Sequence, residues 1–289
     1  MKKINYFLLT KSIGFYINVL SFISPKKATQ KAYDLFSIPR KGKITLHSIP
    51  EILQDAEAVT LDFEGNAIQT YIWKGDETVI FLIHGWESNS ARWKKALPFL
   101  LESGNTIVAI DAPAHGLSGG IDFNVPKYAE FINHVAKKYK PQILIGHSIG
   151  GKACLYYQSL YQNPAIQKMV ILGAPSDFKV ILKNYIALLS LNSIIYKGLE
   201  NYYLENYNLT ITEFSGQIFS SNISTKGFIA HDIEDKIVAF SEGEKNAIAW
   251  KDSIFIPTKG IGHSMNDTDL YQKIVVFFSR SVTNKRFSN

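Results

Sequence analysis

The stretch ILIGHSIGGKA, residues 143–153, passes from a short apolar run into a serine set among glycines, and then continues with a helical pattern. An apolar run of this length that ends at turn residues is typical of a buried strand. Ser148 is therefore predicted in a tight turn between a strand and a helix. Such a turn crowds the backbone, and Gly146, Gly150 and Gly151 supply the positions without side chains that it needs. A serine held clear of a sheet in this way can reach a carbonyl carbon as a nucleophile.

Short β-branched runs alternate with helical patterns on both sides of this turn. The runs TVIFLIH, TIVAID, QILIGH and KMVILGAP are each followed by a helical segment, and an alternating pair, AVTLDF and AIQTYIW, precedes them as a hairpin would. Strands that are covered on both faces read as continuous apolar runs. The pattern predicts an α/β fold with a mostly parallel sheet and helices on both faces.

Two segments lie outside this alternation. Residues 1–50 form a hydrophobic and basic arm that we expect to be helical, and residues 51–289 form the α/β domain. Within the domain, residues from about 177 to 223 are helical in pattern and rich in Tyr and Leu. This insertion is predicted to be a helical cap.

Composition and charge limit the function classes. The chain has 289 residues, 46% of them hydrophobic, which is enough for one large core, and its single cysteine, Cys154, excludes an internal disulfide and a cysteine-rich metal site. Of the formal charge of +6, residues 1–43 carry +8 and the remainder −2. An enzyme of nucleic acids usually has basic residues along its working groove. We therefore expect no nucleic-acid partner.

Ligands of open parallel sheets bind outside the carboxyl ends of the strands. The polar residues at these ends are His84, Asp111, His147, Ser148, Asp177, residues 231–235 and His263. A hydroxyl is a poor nucleophile unless an imidazole accepts its proton, so Ser148 requires one of these histidines.

Several of these segments together resemble the α/β-hydrolase superfamily, over roughly residues 57–281. GHSIGG resembles its nucleophile elbow, and LIHGWESNS its loop after the third strand. DAPAHGLSGG resembles the turn after the fourth strand, with Ala114 in place of the usual glycine. AHDIEDKIV resembles the late segment that holds the acid, and GIGH precedes the last helix. The resemblance implies an eight-stranded sheet and a serine hydrolase.

The resemblance also implies the roles of individual residues. Ser148 is the expected nucleophile, His263 the base and Asp235 the acid, in the chain order that the superfamily uses. The backbone N–H groups of Trp86 and Ile149 form the expected oxyanion hole. Neither a cofactor nor a metal is expected.

The acid and the other histidines leave alternatives open. Asp232 lies three residues before Asp235, and Asp177 occupies a position that some members of the superfamily use for the acid. The spacing to the following valine favours Asp235. His84, His115 and His147 are expected to support the oxyanion loop, the turn after the fourth strand and the elbow.

The predicted reaction is cleavage of a carboxylic ester through an acyl-enzyme. The cap sequence offers mainly Leu, Ile and Tyr, with Lys183 and Lys197 as exceptions, which favours a small-molecule substrate with a hydrophobic acyl group. The same residues would also serve a thioesterase, a hydrolase of carbon–carbon bonds or an acyltransferase, and a non-catalytic small-molecule receptor is a further alternative. The oligomeric state stays open.

The arm contains INYFLLTKSIGFYINVLSFIS, which is apolar nearly all round apart from one narrow helical stripe and ends at Pro25; the stripe consists of Thr10, Lys11, Gly14, Asn18 and Ser21. Lys11 argues against both a cleaved signal peptide and a spanning helix. We expect residues 1–24 to form a helix on an anionic membrane surface, with packing against the core as the alternative. The expected location is the cytoplasm, with this helix at the inner face of a membrane.

Overall fold

The computed structural model describes residues 2–279, which form one eight-stranded sheet covered by helices on both faces. The strand order across the sheet is β1-β2-β4-β3-β5-β6-β7-β8. The strands are β1 (Glu57–Phe63), β2 (Asn66–Trp73), β3 (Asp76–Ile83), β4 (Asn105–Ile110), β5 (Ile143–His147), β6 (Lys168–Leu172), β7 (Lys226–Asp232) and β8 (Ser253–Thr258).

The helices precede, connect and follow these strands. They are α1 (Lys2–Ile23), α2 (Pro25–Ser37), α3 (Glu51–Gln54), a 3₁₀ helix (Ser90–Lys95), α4 (Leu97–Glu102), α5 (Val125–Tyr139), α6 (Ile149–Tyr161), α7 (Phe178–Leu189), α8 (Ser193–Tyr207), α9 (Gly216–Ser221), α10 (Phe240–Ala249) and α11 (Thr268–Ser279). Below, α7, α8 and α9 are called the inserted helices, because they separate β6 from β7.

The mostly parallel sheet is confirmed. The hairpin strands β1 and β2 are antiparallel, β2 is antiparallel to β4, and every other pair is parallel. Successive residues of a strand face opposite sides, so Phe81 and Ile83 belong to one apolar core while Ile80 and Leu82 belong to the other. The carboxyl ends of the parallel strands therefore meet at one edge, between two cores.

Two helical segments differ from the sequence-based prediction. The helix expected around residues 90–103 is divided into the 3₁₀ helix and α4, which has a proline in its first turn. Helix α10 was not predicted at all, because its buried face consists of Glu242, Gly243 and Asn246. A helix that buries polar and small residues leaves no apolar period to detect.

Helix α1 packs its polar stripe against the protein, together with the neighbouring Ile13, Ile17 and Leu20. The Lys11 Nζ donates to the carbonyl oxygens of Ala187 and Leu188, at 3.2 and 3.0 Å. The Asn18 side chain donates to the Ser190 carbonyl at 2.8 Å. These acceptors lie at the carboxyl end of α7, where a cation also complements the helix dipole. The contact joins α1 to the inserted helices, not to the sheet.

The closest approach in this contact is at Gly14. A Cβ added at Gly14 would lie 1.7 Å from the carbonyl oxygen of Leu189. We expect Gly14→Ala to destabilise the docking of α1 by about 1–3 kcal/mol, since the helices must separate to admit the methyl group. Faster hydrogen exchange or proteolysis within α1 would report this change. Ser12→Ala, at an exposed position of the same helix, is the control, and equal protection in both variants would contradict the prediction.

Lys152 holds together the two ends of the segment that contains α7 and α8. Its Nζ, which is fully buried on α6, donates to the carbonyl oxygens of Ser176 and Phe214. Ser176 precedes α7 and Phe214 follows α8, and a bridge between Asp177 and Ser215 pairs the same two ends. Burial lowers the pKa of Lys152 to about 7, an effect that the carboxylates of Asp177 and Glu242 only partly offset.

This burial predicts a pH dependence of stability. Between pH about 7 and the ordinary lysine value of 10.5, the unfolded chain binds more protons at Lys152 than the folded chain does. The contribution of Lys152 to the free energy of unfolding therefore rises with pH in this window, by at most about 1.4 kcal/mol per pH unit. Urea unfolding of Lys152→Met should lack this rise, whereas Lys197→Met, at an exposed lysine of α8, should follow the wild type. Parallel curves for all three proteins would contradict the prediction.

Candidate active site

Ser148 occupies the turn between β5 and α6 with a strained backbone. Its φ of 54° and ψ of −128° are rarely adopted by a residue with a side chain. The Ser148 N–H donates to the Leu172 carbonyl on the neighbouring strand at 2.8 Å, which holds the turn against β6. The turn also admits no side chain at Gly150, where a Cβ would lie 2.2 Å from the His84 carbonyl oxygen. The hydroxyl is thus fixed above the edge of the sheet.

His263 lies between Ser148 and Asp235. Its Nε2 is 2.9 Å from the Ser148 Oγ, and its Nδ1 is 2.7 Å from the Asp235 Oδ2. The His147 Nε2 donates to the His263 carbonyl at 2.7 Å. This hydrogen bond holds the backbone of His263 and so positions its ring. Three residues that the sequence places on three separate segments are thereby joined in one hydrogen-bonded chain.

The Asp235 carboxylate is fully buried and has partners for both oxygens. Its Oδ1 accepts from the backbone N–H groups of Ile237 and Val238, at 2.8 and 3.0 Å. The His231 Nε2 lies 3.4 Å from Oδ2 but donates to the Val238 carbonyl at 3.0 Å. Since backbone donors hold the carboxylate, its second oxygen is free to orient the ring of His263.

The two alternative acids lie elsewhere. Asp232 accepts from the N–H groups of Glu234 and Ile261, both at 3.0 Å, and so braces the loop that leads to His263. Asp177 is bound to the Lys245 ammonium and the Ser215 hydroxyl, both at 2.7 Å. Neither carboxylate is hydrogen-bonded to His263.

The two residues expected to form an oxyanion hole, Trp86 and Ile149, line the cavity that contains Ser148. Within residues 2–279 neither backbone N–H has a protein acceptor. Gly85 leaves room for Ser148, because a Cβ added there would lie 3.1 Å from the Ser148 Cβ. Two unsatisfied donors beside a hydroxyl can bind an oxygen that becomes negative during a reaction.

Two neutral histidines support the loop that carries Trp86. The His84 Nδ1 donates to the Gly85 carbonyl at 2.7 Å, and its Nε2 accepts from the Ala112 N–H at 2.9 Å. His115 accepts at Nε2 from the Glu87 N–H at 3.0 Å. Burial lowers the pKa of each histidine to about 4, so both rings stay neutral at pH 7 and can accept these bonds.

The cavity above Ser148 has a volume of about 520 Å³ and is largely apolar. Its walls come from the inserted helices, from the end of α2 and from α1, with Tyr6, Leu9, Thr10 and Ile13 contributed by α1. The participation of α1 was missed at the level of sequence, where the arm was separated from the α/β domain. No periodicity within the arm indicates which distant helices it will meet.

Groups that could hold a metal are absent from the described part of the chain, in which no three His, Cys, Asp or Glu side chains form a candidate site. Arg40 is the charged residue among those that line the cavity. The polar groups at the base of the cavity are the Ser148 hydroxyl and the His263 imidazole, which bonds to the Asp235 carboxylate.

Comparison with curated proteins gives partial matches. The chain is 34% identical over 99 residues to a serine hydrolase-like protein of Danio rerio, covering 32% of this chain and 29% of that protein. It is 29% identical over 114 residues to the phospholipase YtpA of Bacillus subtilis, covering 36% of this chain and 44% of that protein. The matches thus span less than half the length of these relatives.

Comparison with solved structures covers most of the chain at low identity. Est1E of Butyrivibrio proteoclasticus, solved with ferulic acid, aligns with a TM-score of 0.62 at 17% identity over 77% of this chain and 98% of its own. Mouse alpha/beta hydrolase domain-containing protein 10 aligns with a TM-score of 0.61 at 18% identity over 78% of this chain and 97% of its own. The sequence profile of the alpha/beta hydrolase fold matches residues 78–226, about half of the chain. With the sheet order and the turn at Ser148, these matches establish that the chain belongs to the α/β-hydrolase fold family.

Proposed function

We propose that the protein is a serine hydrolase that cleaves a carboxylic ester with a hydrophobic acyl group through an acyl-enzyme. The observation that carries this proposal is the hydrogen-bonded chain from Ser148 through His263 to Asp235 at the base of an apolar cavity. The serine hydrolase-like protein and the phospholipase among the relatives are consistent with it.

The proposed mechanism follows from the positions of these groups. The Ser148 Oγ attacks the ester carbonyl while the His263 Nε2 takes its proton, and Asp235 stabilises the imidazolium. The N–H groups of Trp86 and Ile149 bind the oxyanion. The imidazolium then protonates the leaving alcohol as the ester bond breaks, which leaves the acyl group on Ser148. A water molecule, deprotonated by His263, releases the carboxylic acid and restores the serine.

The substrate preference follows from the cavity. A space of about 520 Å³ is within the range of pockets that enclose small-molecule ligands. Its walls are mainly apolar and include Leu9, Ile13, Phe36, Phe178 and Ile181. An acyl chain gains from burial against such walls, by roughly 0.8 kcal/mol per CH₂ group. Thioester hydrolysis, carbon–carbon bond hydrolysis and acyl transfer would use the same groups with another leaving group or acceptor.

Replacement of the nucleophile tests the reaction. We expect Ser148→Ala to reduce hydrolysis of p-nitrophenyl esters by more than about 10⁴-fold, because the acyl-enzyme cannot form. A fluorophosphonate probe should add covalently to the wild type at Ser148 and leave the variant unmodified, as intact mass measures. The circular dichroism spectra should coincide. Wild-type turnover by the variant would refute the mechanism, and an unlabelled wild type would favour a receptor.

Replacement of Asp235 should affect mainly the reaction rate, and replacement of Asp232 mainly the stability. Asp235→Asn should lower the rate of acylation by about 10⁴-fold, because an amide stabilises the wrong tautomer of His263. Asp232→Asn should lower the melting temperature more than the rate, because Asp232 bonds to its own loop, to β8 and to the loop before His263, and not to the ring of His263. Stopped-flow acylation and thermal unfolding of both variants measure this contrast. The opposite ranking of rates would transfer the acid role to Asp232.

A further inference from the structure

The polarity of α1 is inverted relative to a helix on the surface of a water-soluble domain. Its polar stripe is turned inward, with Thr10 and Ser21 buried and each hydroxyl donating to a carbonyl of the same helix. The side chains of Lys11 and Asn18 donate hydrogen bonds to residues at the carboxyl end of α7. These four polar side chains of α1 are thus satisfied within the protein, and the outer face consists mainly of apolar residues.

That outer face is apolar except for Ser12. Phe15, Phe22 and Ile23 expose 72, 74 and 78% of their surface, and the other exposed members are Phe7, Leu8, Tyr16 and Val19. The stretch Asn5–Ile23 has a mean hydropathy of 1.4 with 22% of it buried, long and apolar enough to cross a bilayer by those measures alone. Monomeric water-soluble proteins rarely expose an apolar patch of this kind unless something binds to it.

The inward contacts favour a position on the bilayer over one across it. A spanning α1 would have to leave the inserted helices, which breaks the hydrogen bonds of Lys11 and Asn18 and brings the ammonium into the hydrocarbon. A helix that lies in the interface keeps these bonds and buries only its outer face. The structure therefore fits a helix parallel to the membrane surface.

The charges beside α1 favour anionic lipid over a second copy of the chain. Lys26 and Lys27 follow the end of α1 directly, and Lys31 lies over the Tyr16 ring at 6.0 Å. All three lysines are exposed, and within the described residues none has an acidic side chain within 4 Å. Two copies that met through this face would bring like charges together. An anionic headgroup layer would attract them.

The same helix borders the entrance of the cavity above Ser148. Tyr6 and Leu9 line the cavity and are also 57 and 58% exposed, so they connect the outer face of α1 with the interior. A chain that leaves the hydrocarbon at α1 can enter the cavity without crossing water. Continuity of one apolar surface from the outer face to the nucleophile links the location of the protein to its substrate.

We propose that α1 lies on an anionic bilayer with its outer face among the acyl chains, and that the substrate is an ester of a membrane lipid whose acyl chain enters the cavity past Tyr6 and Leu9. The part that concerns the substrate rests on the proposed ester hydrolysis. The part that concerns the membrane does not depend on catalysis.

Cosedimentation of the full chain with phosphatidylcholine vesicles, with and without phosphatidylglycerol, tests the membrane contact. The wild type should bind the anionic vesicles and be released by high salt. The outer-face variant Leu8→Gln/Phe15→Gln/Phe22→Gln should lose at least about a hundredfold in affinity, because three large apolar side chains leave the interface. Lys26→Gln/Lys27→Gln/Lys31→Gln should lose about a hundredfold on anionic vesicles only. The matched control Leu46→Gln/Ile121→Gln/Ile248→Gln removes equally exposed side chains elsewhere and should bind as the wild type does.

The substrate part is tested with two esters. The outer-face variant should hydrolyse p-nitrophenyl acetate in solution at the wild-type rate, because none of its three positions lines the cavity. It should hydrolyse p-nitrophenyl palmitate in anionic vesicles at least tenfold more slowly than the wild type. Equal rates on the vesicle ester would overturn the proposed route of the substrate.

The remaining outcomes separate the two proposals. A wild type that cleaves the soluble ester but does not sediment with vesicles overturns the membrane contact and leaves the enzyme in place. Sedimentation without cleavage of either ester supports the membrane contact and overturns the proposed reaction. If neither high salt nor alkaline carbonate released the protein from the vesicles, α1 would be a spanning helix. If the wild type formed dimers and did not bind vesicles, and the outer-face variant were monomeric, the outer face would be an interface with a second copy of the chain.

Discussion

The close approach of α6 to the end of β3 is the constraint on which the rest of the site depends. Gly150, at the start of α6, lies so near the His84 carbonyl that no side chain fits between them. This contact places the turn at Ser148 beside the loop that carries Trp86, so Ser148, Trp86 and Ile149 line one cavity. The strain at Ser148 is tolerated because β6 and the loop hold the turn from two sides.

Uncharged histidines extend this constraint outward. His84 and His115 join the loop after β3 to the turn after β4, and His147 holds the backbone of His263. Burial lowers the pKa of His147 well below its usual range, as it does for the other two rings. Three of the four histidines around Ser148 therefore act as fixed, neutral hydrogen-bonding groups. His263 differs from them, since its two ring nitrogens face a hydroxyl and a carboxylate.

The sheet and the elbow could be predicted from the sequence because their residues follow local rules. Buried parallel strands are continuous apolar runs, and a serine among glycines marks a tight turn. Ala114, which stands where the superfamily usually has glycine, adopts a φ of 63°, in the region that favours glycine. Asp235 and Asp232 could be ranked only by spacing, since a carboxylate before a loop looks the same whether it bonds to an imidazole or to backbone N–H groups.

Long-range packing accounts for what the sequence could not reveal. Helix α10 buries polar residues, so it has no apolar stripe. The arm displays a polar stripe, which a pattern argument assigns to solvent, yet the stripe contacts α7. Its apolar face is the outer one, and the inward residues form a wall of the cavity. Only the position of the inserted helices decides which face of α1 is inside, and that position depends on residues more than a hundred and sixty places away.

The hydrogen bonds of Lys152 have a consequence for how the chain can vary. Because Lys152 and the pairing of Asp177 with Ser215 bring the start of α7 and the segment after α8 to one point on α6, α7 and α8 form an excursion of the chain that begins and ends at the same place. Helices within this excursion can be lengthened, shortened or exchanged without a change in the distance between its ends, as long as they keep their contacts with α1 and α2. The helices that line the cavity and the turn at Ser148 are thereby placed on separately variable parts of the chain.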